Sequence, residues 1–200
     1  GSWGLDGLRP VHRLAGHTVG LLGFGRIAQE VARRLAGFGV HLVAHDPYAD
    51  ARVAASFAVE LCGLDELLRR SDVLSIHAPL TDETRALLDR DRLALLPEGA
   101  VVVNAGRGGI VDHGALLEAL ARGRLTGAAL DVAGVEPADP EDPLLARENV
   151  VCTPHMAYYS EESLLELRES VARNAAAVLA GRRPDSIVNA AALGLSTDGS

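Results

Sequence analysis

The stretch Thr18-Val19-Gly20-Leu21-Leu22-Gly23-Phe24-Gly25-Arg26-Ile27-Ala28 decides the fold. It begins as a short apolar run of strand type, and beyond Ala28 the apolar residues Val31, Leu35 and Phe38 recur at helical spacing. Between the two lies Gly23-Phe24-Gly25-Arg26-Ile27-Ala28, a G-x-G-x-x-A turn. Gly23 permits the tight reversal, Gly25 lets the backbone approach a pyrophosphate, and Ala28 lets the helix pack closely on the strand. Phosphate oxygens would meet the free N–H groups of the helix start, with Arg26 and Ile27 beside them. A glycine-rich turn also serves plain strand-to-helix geometry, so the string alone leaves both uses open.

The following strand, Val40–Ala44, leads into His45-Asp46. That places an acid about 18 residues past Ala28, near the distance at which this architecture brings a carboxylate to an adenosine ribose. Asp46 would accept hydrogen bonds from the 2′- and 3′-hydroxyls and repel a 2′-phosphate, which favours NAD over NADP, with Arg52 nearby to soften the choice. Asp46-Pro47 is also an ordinary turn start.

Working outward, further strand candidates are Ala58–Leu61, Val73–Ile76, Ala100–Val103, Gly127–Leu130 and Val150–Cys152, which brings the total to about seven. Helices are predicted at about Arg26–Phe38, Leu64–Arg70, Asp89–Leu95, Asp112–Arg122 and Ser160–Ala180. Continuous apolar strands separated by helical crossovers predict an α/β domain with a doubly wound parallel sheet. The last helix has Ser160 as N-cap, Glu161 and Glu162 in its first turn, and Gly181 past its end. Its stripe of Leu164, Leu167, Val171, Ala175 and Val178 is expected to bury against this domain or a partner chain.

Composition excludes several classes. The chain has 200 residues, 48% of them hydrophobic, which suffices for a real core. A net charge of −8 and a pI of 5.3 argue against nucleic-acid binding. No apolar run approaches the roughly 18 residues a membrane span needs, and no signal peptide pattern is present. Cys62 and Cys152 stand far apart outside any paired-ligand motif, so neither a disulfide scaffold nor a metal site is expected, and the cytoplasm is the default compartment. Gly1-Ser2 reads as the scar of a cleaved tag. The expected organisation is residues 1–13 as a remnant of another element, 14–189 as the dinucleotide-binding domain, and 190–200 as a flexible tail.

Polar segments follow three of the strands, at the edge where open α/β sheets bind ligands. They are Asn104-Ala105-Gly106-Arg107-Gly108-Gly109, Asp131-Val132-Ala133-Gly134-Val135-Glu136-Pro137 and Thr153-Pro154-His155-Met156-Ala157-Tyr158-Tyr159, joined by His77-Ala78-Pro79-Leu80-Thr81 after the fourth strand. With these motifs in order, the chain from Leu14 to about Asn189 resembles the D-isomer-specific 2-hydroxyacid dehydrogenase family. The resemblance implies a Rossmann-type NAD-binding domain and a small 2-oxo or 2-hydroxy acid as substrate. It implies Arg107, Glu136 and His155 as catalytic residues. Arg107 would hold the substrate carboxylate through its planar fork. His155 would give a proton to the carbonyl oxygen as hydride arrives, with Glu136 supporting the charged imidazole. Asp131 would meet the nicotinamide carboxamide, Ala78, Pro79 and Ala105 would line the ring and its ribose, and Gly106 and Tyr158 would belong to the same site. Taken singly, Arg107 reads as a solvated loop cation, Glu136 as a turn residue and His155 as a hydrogen-bonded imidazole. His12, His17, His41, His45 and His113 have no such context and read as surface or turn residues, and His77 stays open.

Tyr158-Tyr159-Ser160-Glu161-Glu162-Ser163 and Gly181-Arg182-Arg183-Pro184-Asp185-Ser186 resemble the C-terminal binding protein branch of that family, which includes NAD-sensing corepressors. Tyr158 departs from the tryptophan common in those corepressors. The family carries a second, substrate-binding domain built mainly from its N-terminal part, and almost nothing precedes Leu14 here. An excised cofactor domain is the simplest expectation, with a natural short protein as the alternative. The resemblance also implies a homodimer. Two functions follow: a 2-hydroxyacid dehydrogenase half, or an NAD(H)-gated dimerising interaction module with little turnover.

Overall fold

A computed structural model of the chain describes residues 11–190 and 193–195. Most of the expected remnant at 1–13 and of the expected tail at 190–200 lies outside them. The chain divides into two compact units, Gly1–His155 and Met156–Ser200, each taken by itself below, with the expected 14–189 extent spanning both.

The first unit is built on seven parallel strands: β1 (Thr18–Leu22), β2 (His41–His45), β3 (Val59–Leu61), β4 (Val73–Ile76), β5 (Ala100–Asn104), β6 (Leu125–Leu130) and β7 (Val150–Cys152). Their order is β3-β2-β1-β4-β5-β6-β7, so the winding reverses between β1 and β4, where such a sheet opens a crevice at its C-terminal edge. The doubly wound expectation is met. Strand alternation supplies both faces of the core. Val19, Leu21, Leu42 and Ala44 join Ala28, Ala32 and Ala54 on one face, while Leu22, Val43, Leu74 and Ile76 join Leu67, Leu68, Leu116 and Leu120 on the other.

The helices of this unit are α1 (Arg26–Leu35), α2 (Ala51–Ser56), α3 (Leu64–Arg70), α4 (Arg90–Leu93) and α5 (His113–Ala121). α1 buries only Ala28 and Ala32, side chains small enough for close approach to the sheet. It stops short of the expected Phe38, because Ala36–Phe38 tighten into a 3-10 turn before Gly39 reverses the chain at φ 69°. α4 and α5 are shorter than expected because Asp89 and Asp112 act as caps, accepting from the backbone N–H of Arg92 and Ala115. α2 was not foreseen: only Ala54 is buried, so it carries no apolar period, and it is set by its Asp50 cap. β6 begins earlier than Gly127 because Leu125 is fully buried.

In the second unit, α6 spans Glu161–Leu179. A capping box starts it: Ser163 N–H donates to Ser160 Oγ at 3.0 Å and Ser160 N–H to Ser163 Oγ at 2.8 Å. Of its stripe, Leu167, Val171 and Val178 are more than half exposed in the single chain, and Ala177 is the buried residue of the helix. Among the described residues no helix is long and apolar enough to cross a membrane.

Candidate active site

The turn after β1 leaves no room for any residue but glycine at its first position. Gly23 has φ +88°, and a Cβ built on it would lie 2.7 Å from the backbone nitrogen of Ala78 and 2.8 Å from its Cα. Its N–H donates to the carbonyl of His45, tying the turn to the end of β2. Gly25 differs: it is the N-cap of α1, and nothing stands within 4 Å of its added Cβ. α1 has no side-chain cap and no acid in its first turn, so its leading N–H groups remain available to an anion. Arg26 and Ile27 are exposed at this end. An open glycine, an uncapped helix start and a cleft of about 690 Å³ lined by Gly23, Asp46, Ala78 and Pro79 together fit a dinucleotide.

Asp46 serves the cleft and the turn together. Its Oδ2 accepts the N–H of Phe24 at 2.8 Å, bracing the glycine turn, and its Oδ1 accepts the N–H of Tyr48 at 2.9 Å. Each carboxylate oxygen accepts more than one hydrogen bond, so ribose hydroxyls can still be received.

Around the crevice, β5 ends on buried Asn104, whose side chain receives the N–H of Gly106 at 3.1 Å and donates to the carbonyl of Arg107 at 3.1 Å. This brace shapes the loop that exposes Ala105 and Arg107, the latter bonding through Nη1 to the Gly106 carbonyl. Glu136 receives the Ala133 N–H on Oε1 at 3.1 Å and the His155 Nδ1 on Oε2 at 2.7 Å. The His155 hydrogen bond is the main cause that lowers the Glu136 carboxyl below its ordinary range, with Ala133 N–H and the nearby charges of His155 and Arg107 adding to it against slight burial. Arg107, Glu136 and His155 thus come together. A carboxylate on Nδ1 selects the tautomer that leaves Nε2 for substrate chemistry. His155 holds φ 50°, a left-handed conformation uncommon outside glycine, with its N–H donating to the carbonyls of Asp131 at 2.8 Å and Thr153 at 3.0 Å. Asp131 itself is buried and receives Thr153 Oγ1 at 2.6 Å.

Residues 1–157 match the family model described as D-isomer specific 2-hydroxyacid dehydrogenase, NAD binding domain. The chain belongs to this dehydrogenase family. NAD is its cofactor. It is 43% identical over 176 residues to a glyoxylate reductase of Aeropyrum pernix, covering 88% of this chain and 52% of the relative. It is 40% identical over 191 residues to a D-3-phosphoglycerate dehydrogenase of Methanocaldococcus jannaschii, covering 94% of this chain and 36% of the relative. The structure of a D-lactate dehydrogenase with NAD+ from Lactobacillus jensenii superposes with a TM-score of 0.81 at 29% identity, over 88% of this chain and 57% of that one. The chain therefore spans between a third and three fifths of these dehydrogenases' lengths.

The residues expected at the dehydrogenase site fall in two units. Tyr158 lies in the second unit, exposed, its carbonyl receiving Ser163 Oγ at 2.7 Å. Others were missed. Asn104 had a readable signal, an amide closing a strand just before Gly106. Thr153 on Asp131 had none, because the two are 22 residues apart. Three of the histidines read as surface or turn residues have local partners. His17 pairs with Asp72, His45 Nδ1 meets the Cys62 carbonyl, and His113 pairs with Asp142. His77, left open, is largely buried with Nε2 at 2.9 Å from Ser75 Oγ, and burial lowers its pKa.

Proposed function

We propose that this chain is the cofactor-binding and catalytic half of an NAD-dependent oxidoreductase that interconverts a 2-oxo acid and its 2-hydroxy acid. The observation that carries the reading is the Glu136–His155 hydrogen bond with Arg107 close by, at the edge of the sheet that also bears the glycine turn. The cofactor, when bound, supplies or accepts the hydride. Arg107 receives the substrate carboxylate with its guanidinium fork and draws electron density from the adjacent carbonyl. His155 delivers the proton to the carbonyl oxygen from Nε2 and recovers it in the oxidative direction. Glu136 keeps the ring oriented and balances its positive charge. Asp131 holds the carboxamide end of the cofactor, with Ala78, Pro79, Ala105 and Gly106 beneath it.

The test is NADH oxidation by the chain with glyoxylate or pyruvate, followed at 340 nm. Turnover that Arg107→Ala abolishes while NADH binding persists supports the reading, and bound NADH with no turnover on either acid overturns it. The exposed apolar residues of α6 favour a second reading as well, in which the protein works as a cytoplasmic homodimer whose assembly responds to NAD(H). Molecular mass by light scattering, unchanged by NADH and equal to one chain, removes that reading.

A further inference from the structure

The loop that carries Glu136 is held at both ends of α5. Asp142 on that loop faces His113, the first residue of α5, with Nε2 at 2.9 Å from each carboxylate oxygen. Asp142 Oδ1 also receives the N–H of Leu144, whose side chain is buried in the core. At the far end, Arg147 donates from Nη2 to the Leu120 carbonyl at 3.1 Å. α5 in turn continues the loop of Arg107 through a 3-10 turn at Gly108–Ile110. The two loops are already pressed together at one point: a Cβ on Gly108 would sit 1.9 Å from the Ala133 carbonyl oxygen. That contact and the His113–Asp142 pair both line a mostly apolar cavity of about 70 Å³. Where the cavity opens, packing contacts between the loops are fewer, and the pair stands at its wall.

The link from Glu136 to Asp142 is stiff. Pro137 and Pro140 fix two of its φ angles, Asp139 Oδ1 receives the Glu141 N–H, and the Asp139 carbonyl receives the Asp142 N–H. We propose that His113 and Asp142 are positioning residues, a clasp that sets the Glu136 loop in register with the Arg107 loop and so aims the Glu136 carboxylate at His155. The proposal rests on the dehydrogenase reading for the meaning of that aim. The pair is half-exposed on the His113 side and mostly covered on the Asp142 side, so its hydrogen bonds hold the loop in place while adding little to stability.

The experiment is a carbon-13 titration of the Glu136 carboxyl in the full chain, with amide exchange of Ala133 read alongside. In the parent, Glu136 is expected to titrate below the ordinary carboxylate range, because the His155 hydrogen bond favours its charged form. With His113→Ala its midpoint moves up toward that range, and the Ala133 amide, bonded to Glu136, exchanges roughly tenfold faster. His113→Gln, which keeps an N–H donor for Asp142, restores both. If His113→Ala does not fold, Asp142→Asn gives the same readout, since it weakens the pair and keeps an acceptor for Leu144. A Glu136 midpoint and Ala133 exchange unchanged in folded variants overturn the clasp and leave the dehydrogenase reading standing. A parent Glu136 that titrates in the ordinary range overturns the clasp as well, and the dehydrogenase reading falls separately, on bound NADH with no turnover.

Discussion

Nδ1 of His155 lies 2.7 Å from Oε2 of Glu136, two residues 19 apart in the chain, and the same histidine carries a left-handed backbone at φ 50°. The strain is held in place by the paired donation of the His155 N–H to Asp131 and Thr153 carbonyls. Backbone and ring are therefore both fixed before any substrate arrives, which is what proton transfer from a set position requires.

Asparagine tolerates the left-handed region and carries no imidazole. His155→Asn is expected to fold with stability within about 1 kcal/mol of the parent and to bind NADH as before. Its reduction of a 2-oxo acid falls at least about 100-fold, the scale of a lost acid–base group. Chemical unfolding, NADH fluorescence and steady-state rates check the three parts.

The two glycines of the turn separate folding from binding. Gly23→Ala drives a methyl into the backbone of Ala78 at a positive φ, and a loss of about 2 kcal/mol or more is expected in urea unfolding. Gly25→Ala meets nothing and has an ordinary φ of −76°, so stability holds within about 1 kcal/mol. Its methyl instead stands where a pyrophosphate would approach, and NADH affinity falls, as calorimetric titration would show.

Asp46→Ala removes the acceptor for the Phe24 and Tyr48 N–H groups along with the proposed ribose contact. NADH binding is expected to weaken about tenfold or more, the value of a charged hydrogen bond, while NADPH binding changes less. Equal loss for both nucleotides would argue that Asp46 acts on the turn alone.

His77 gives the fold a pH dependence. Burial lowers its pKa, so the folded protein holds it neutral where the unfolded chain would be protonated. Its contribution is complete above the ordinary histidine value of about 6.5 and is lost as pH falls from there through the lowered folded value. Urea midpoints measured between pH 7.5 and 5 should fall more steeply in the parent than in His77→Gln.

Much of this was legible in the chain because its causes are local. The glycine turn, the serine cap of α6 and the continuous apolar strands each depend on residues within a turn or a strand of one another, and Asp46 was reached through the spacing this architecture uses. α2 escaped notice because a single buried alanine leaves no period to read. The carboxylate on His155 was expected through the family resemblance alone, while the hydroxyl on Asp131 and the His113–Asp142 pair join positions 22 and 29 residues apart, and no spacing rule reaches across that separation. Sequence by itself determined a wound parallel sheet and the residue types at its C-terminal edge, since local sterics and burial dictate those. Only the tertiary structure decided that Thr153 meets Asp131 and His113 meets Asp142, because contacts between distant segments depend on where the sheet sets each loop.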